Sequence, residues 1–245
     1  MSDNTPPFSS PRRTSSRRNF LKKTLMMVPL AAAGSSTLVL KPQNANAAEG
    51  VSPHYVPLFF NNEEWLFLLQ ACERLIPTDS NGPGAVDQGA LEYIDKQMEL
   101  PYGHAGLWYM HPPFVDAKPE MGYQSKLTPR DTYRLGIKAV NQHCQQRFQK
   151  NFADLSAEQQ NALLIELESD RLTFPDISGK AFFDQLLANT KEGYLSDPIH
   201  GGNQSLASWK LIGFPGARAD YTDWVDKPNQ VYPLGPVSIF SKRNL

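Results

Sequence analysis

Apolar residues recur at three- and four-residue spacing through most of the chain between positions 61 and 195, which is the period of a helix with one buried face. Trp65, Leu68, Leu69, Cys72, Leu75 and Ile76 form the first such face. Asn61 or Asn62 caps it, Glu63 and Glu64 sit at its positive end, and Pro77 closes it. Residues 78–84 carry turn chemistry throughout, and a second helix is expected from Ala85 or Gly89 to Leu100. Thr128 and Pro129 read as N-cap and first residue of a long helix reaching about Phe152, with Tyr133, Ile137, Val140, Cys144 and Phe148 on its apolar face. Ser156 and Gln159 have capping-box spacing ahead of Leu163, Leu164, Leu167 and Leu172. Ser178 opens a further helix bearing Phe182, Phe183, Leu186, Leu187 and Tyr194, and a short one is expected near Ser205 to Leu211. No useful stretch alternates with period two, so the fold class is all-α, an irregular helical bundle.

Two stretches interrupt this pattern. Residues 101–127 contain repeated Pro and Gly together with Tyr102, Leu107, Trp108, Tyr109, Phe114 and Tyr123, a loop unusually long for a compact domain. Its aromatics either pack over their own helices or are covered by a partner. From residue 216 to 245 the chain is rich in Pro, Trp and Tyr, including Trp224, with little periodicity. Such an extended tail either wraps its own bundle or lies along another protein.

The N-terminus has a different character. Ser16-Arg17-Arg18-Asn19-Phe20-Leu21-Lys22 resembles the twin-arginine export consensus, with Arg17, Arg18, Phe20 and Leu21 as its carriers. A diluted apolar run at 24–40 follows, then the small-residue cleavage site at Ala45 and Ala47. A permanent anchor would need roughly 20 predominantly apolar residues, and this run is shorter and interrupted. Residues 1–47 are therefore read as a signal peptide and 48–245 as the mature domain. Because the twin-arginine translocase moves folded proteins, the expected destination is the periplasm.

Removing the signal changes the electrostatics. The signal holds seven basic residues and one acid, so the remaining chain keeps 17 Lys/Arg against 24 Asp/Glu, a net charge of −7. That surface argues against nucleic acid as a partner, since phosphates demand clustered Lys and Arg. Cys72 and Cys144 leave three readings open: an internal bridge, buried free thiols, or a bond to another subunit.

Motifs for chemistry are sparse. No G-x-G-x-x-G marks a dinucleotide site and no C-x-x-C-H marks covalent haem. His54, His104, His111, His143 and His200 lack metal-ligand spacing, and the acids at 63/64, 166/168 and 223/226 fit solvated charge better than catalytic pairs. A self-sufficient periplasmic enzyme using the His104 to His111 loop, or a ligand-binding helical protein, remains an alternative reading.

Several runs carry a resemblance. Ala71-Cys72-Glu73-Arg74-Leu75-Ile76-Pro77-Thr78-Asp79, the stretch from Gly84 through Tyr93-Ile94-Asp95, and above all the Gly-Tyr-Leu-Ser-Asp-Pro-Ile-His-Gly-Gly-Asn run at 193–203 with Trp209-Lys210-Leu211-Ile212-Gly213-Phe214-Pro215-Gly216 resemble the small (gamma, or subunit 3) component of gluconate 2-dehydrogenase. The resemblance implies a non-catalytic, chaperone-like subunit with no cofactor of its own. It further implies a large FAD-dependent dehydrogenase subunit and a multihaem cytochrome c subunit as partners, membrane association through them, and co-export of the flavoprotein. No catalytic, cofactor or metal residue carries over. Candidate partner-interface residues are Trp108, Tyr109, Tyr194, Asp197, Gly201, Gly202, Trp209 and Trp224. For Tyr194, Asp197 and Trp209, core packing competes with partner contact.

Overall fold

The computed structural model describes residues 55–115 and 118–239, so the export-signal and cleavage readings at 16–22 and 45–47 lie outside the described residues. Among the described residues are six α-helices and no strand: α1 (Asn62–Leu75), α2 (Ala90–Glu99), α3 (Pro129–Phe148), α4 (Ala157–Glu168), α5 (Gly179–Leu195) and α6 (Ala207–Ile212). The all-α expectation holds.

Local sequence explains where these helices begin. Asn61, Thr128 and Ser156 each close a reciprocal capping box, with Glu64, Asp131 and Gln159 respectively, and Ser178 accepts a bond from the Ala181 amide. Each such cap is worth about 1 kcal/mol because it satisfies amides that the helix itself leaves unpaired. α5 then lies at the centre, packed on α2, α3 and α4, while α1 rests on α2 and α4. Phe67 of α1 meets Phe152 and Phe182 at ring-centroid distances of 4.5 and 5.9 Å. At Gly136 of α3 a Cβ would overlap the Phe182 ring, so the close approach of α3 to α5 requires glycine there.

Polar side chains are buried where they join elements. Asn189 of α5 accepts from the Tyr133 hydroxyl at 3.1 Å, meets the Tyr102 hydroxyl, and donates to Glu192 at 2.9 Å. Asp95 of α2, fully buried, accepts four bonds from the segment ahead of α1: Tyr55 Oη and Leu58 N at 2.7 Å, Phe59 N and Phe60 N at 3.0 Å. Arg130 and Arg134 stack on the Phe59 ring, at 4.4 and 4.1 Å from its centroid. Arg134 also bonds Glu64 and donates to Phe59 O at 2.6 Å. The lead-in is thereby clamped to α2 and α3.

Three boundaries differ from the sequence reading. α2 starts at Ala90, because residues 85–89 form turns anchored by the Ala85 amide on Ile76 O at 2.9 Å. α3 stops at Phe148, where Gln149 adopts a left-handed conformation. Phe152 is instead buried in a separate 3-10 turn, its amide bonded to Asn141 and its carbonyl to Gln160. α4 ends at Glu168, leaving Leu172 packed on the core from the following loop. Of the three cysteine readings the structure shows buried free thiols. Cys72 lies 3.4 Å from the Thr190 hydroxyl.

Candidate partner-binding surfaces

The Gly-Gly-Asn block forms a tight corner after α5. Asp197 caps the turn Pro198–His200 by accepting from the Ile199 amide, and Gly201 takes φ +103. A Cβ on Gly202 would collide with the Gly193 carbonyl and lie 2.6 Å from Ser196 Oγ, so the returning chain presses directly on the end of α5. Asn203, fully buried, donates to Ser196 O at 3.0 Å, and the Trp209 indole donates to Leu195 O at 2.7 Å. Tyr194 donates to Pro83 O at 3.2 Å.

These contacts place the candidate residues within the fold. Gly201, Gly202 and Trp209 are buried in the corner itself, while Tyr194 and Asp197 are half-buried with intramolecular partners. Trp209 is core. Its neighbours Leu211, Ile212 and Phe214 are the exposed ones, a distinction that the composition of the run conceals.

The tail after Gly216 is irregular, as expected, yet it closes on itself rather than running out as an extended strap. Its base is held by Ala217 N bonding Val237 O at 2.8 Å and Val237 N bonding Pro215 O at 3.3 Å. Asp197 fastens the far end, accepting from Ser238 Oγ at 2.6 Å and Ile239 N at 2.9 Å. Inside the loop Tyr232 meets Tyr221 and Trp224 edge to face at 5.6 and 5.5 Å, and Arg218 lies over Tyr232. Burial alone would raise the Asp197 pKa. The bonds from Ser238, Ile239 and Ile199, with His200 nearby, outweigh it and hold the carboxyl below its usual value.

The middle loop makes a second surface. Trp108 is half-buried between Tyr102 and Tyr123, at 5.8 and 4.6 Å, so it serves the loop's own packing. Tyr109 is 82% exposed and Leu107 87%. A groove of about 500 Å³ runs between Trp108, Tyr109, Phe114, Met121 and Tyr123. The His111 ring meets that of Tyr109 at a tilt of 57° with centroids 5.2 Å apart, and His104 Nε2 lies 3.1 Å from Arg130 Nη1. His104 and His111 thus each have a local neighbour, and among the described residues no group of three His, Cys, Asp or Glu is arranged to hold a metal ion. A polar groove of about 790 Å³ lies between the start of α1 and α3, lined by Glu63, Arg134, Lys138, Asn141 and Gln145.

What the described residues define is a small helical domain whose distinctive surfaces are exposed apolar faces built on a tightly fixed corner. A family model for gluconate 2-dehydrogenase subunit 3 matches residues 62–216, and the chain belongs to that family. The match runs from the start of α1 to the closure of the corner, and so takes in the whole helical core. No curated protein and no solved structure matched the chain. Among the described residues no helix is long and apolar enough to cross a membrane.

Proposed function

We propose that this chain is the non-catalytic small subunit of a membrane-associated, flavin-dependent gluconate or related sugar-acid dehydrogenase, and that it escorts the catalytic flavoprotein through folding and twin-arginine export. Family membership over residues 62–216 carries this reading. Being a subunit of such an enzyme implies catalytic partners, and FAD and haem c are assigned to those partners. The twin-arginine pattern at Arg17 and Arg18 supports export of a preassembled complex into the periplasm, since one signal suffices for a folded pair. The exposed apolar faces supply surfaces on which a partner could be held.

The test is the double replacement Arg17→Lys and Arg18→Lys in cells expressing the complete complex. Both this chain and the flavoprotein, with the dehydrogenase activity, should remain in the cytoplasm. A flavoprotein that still reaches the periplasm would refute co-export.

A further inference from the structure

We propose that the cleft between the middle loop and the start of α5 binds a neutral sugar ring. The inference goes beyond the subunit role above and does not depend on it, because it concerns a ligand held by this chain alone.

The cleft has a volume of about 760 Å³, within the range of about 300–1,000 Å³ usual for small-molecule sites. Tyr102, Trp108 and Tyr123 supply aromatic rings to its lining, and the fold fixes all three. The Tyr102 hydroxyl bonds Asn189 of α5, the Tyr123 hydroxyl donates to Leu127 O at 2.5 Å, and Trp108 packs on both rings. Rings held in place before a ligand arrives spend little ordering entropy on binding it.

Polar groups line the same cleft with bonding capacity to spare. Asp176 and Lys126 make no hydrogen bond or ion pair with any described residue. Gln185 donates its amide NH₂ to Pro129 O and Gln124 to Met121 O, which leaves each an amide oxygen to accept. Ser178 and Ser125 accept from the amides of Ala181 and Leu127 and keep a hydroxyl proton to donate.

That combination selects the ligand class. A sugar ring presents C–H faces, which suit the negative face of an aromatic ring, and edge hydroxyls that both donate and accept. The groove between α1 and α3 has no aromatic ring in its lining, and the groove beside Tyr109 adds only His111 and Gln124 to its aromatic and aliphatic residues. Charge then separates neutral from ionic sugars. The charged groups lining the cleft are Lys126, Asp176 and Asp184, and Lys180 pairs with Asp184 at 2.9 Å, so the four charges balance. A sugar acid entering the cleft would give up hydration without a net opposite charge to meet it.

The experiment titrates the full chain with glucose, maltose and gluconate by calorimetry, with tryptophan fluorescence as a second signal. At least one of the two neutral sugars should bind saturably at millimolar concentration, and gluconate at least tenfold more weakly. Asp176 is exposed and unpartnered, so Asp176→Ala should leave circular dichroism unchanged and weaken neutral-sugar binding about tenfold. Trp108→Ala should weaken it at least as much. Failure of both neutral sugars to bind overturns the site. Gluconate binding as tightly as they do overturns the neutral class. Undiminished binding in either variant places the sugar elsewhere and overturns the assignment to this cleft. None of these results bears on the subunit role, which export tests separately.

Discussion

Replacing Asp95 by asparagine keeps the shape of the side chain and removes its charge along with half its capacity to accept. The carboxylate serves four donors, two on each oxygen: Tyr55 Oη and Leu58 N on Oδ2, Phe59 N and Phe60 N on Oδ1. An amide can satisfy one pair and turns an NH₂ toward the other. Hydrogen bonds to a charged acceptor are worth about 1.5–3 kcal/mol each, and stranding a buried donor costs about 1–3 kcal/mol. The Leu58 side of the segment is exposed and can yield to water, which limits the loss to about 3 kcal/mol. Against a total stability of about 5–15 kcal/mol that is a large fraction, and for a domain of this size it lowers Tm by roughly 6–12 °C. Thermal unfolding followed by circular dichroism measures it, and limited proteolysis should show new cleavage at 55–60 well below the melting temperature. As a control, Asp184→Asn, whose carboxylate pairs with Lys180 on the surface, should melt with the wild type. A shift for Asp95→Asn no larger than that control would refute the view that this carboxylate holds the lead-in.

Burial pushes the thiol of Cys72 up to about 12 and that of Cys144 to about 11, so both stay protonated at neutral pH, and neither should react with a thiol reagent in the native protein. Labelling should appear only with unfolding. The stability these thiols contribute is fully present below the unfolded value near ~8.5 and is lost as pH rises toward their folded values, so denaturation midpoints should fall above pH ~9. Asp197 has the opposite sign. Its carboxyl titrates below the usual value, so its contribution is present above about pH 4 and is lost as pH falls through the depressed folded value. The tail should therefore remain fastened at neutral and mildly acidic pH and open only below about pH 4. Trp224 fluorescence would report this, and a change already complete at pH 6 would contradict it.

The helices were legible because their starts are local. Asn61, Thr128, Ser156 and Ser178 sit within three residues of the amides they cap, and a one-dimensional reading finds them. Helix ends were less so. Phe152 continues the apolar period of α3, and only its bonds to Asn141 and Gln160 show that it belongs to a separate turn. The surfaces were legible in part. Trp209 and Tyr194 are the most conspicuous residues of their block, yet their partners are the Leu195 and Pro83 carbonyls, which no spacing rule connects to them. Val225, Val231, Leu211 and Ile212 attract no notice in sequence, because exposure of a small aliphatic residue depends on how the tail closes. Asp95 was visible only within a family-like run. Its donors lie 35–40 positions away, and three of them are backbone amides that leave no compositional trace.

That last feature sets what substitutions the lead-in will tolerate. Main-chain amides at 58, 59 and 60 are supplied by any amino acid except proline, so the grip of Asp95 does not depend on the side chain carried at Leu58. Leu58 can be exchanged for almost any other residue without loosening the segment, whereas a single proline at any of these three sites deletes one of the four bonds on Asp95. A library randomised across 56–60 should return diverse sequences at 56 and 58, while 58, 59 and 60 share a common intolerance of one amino acid.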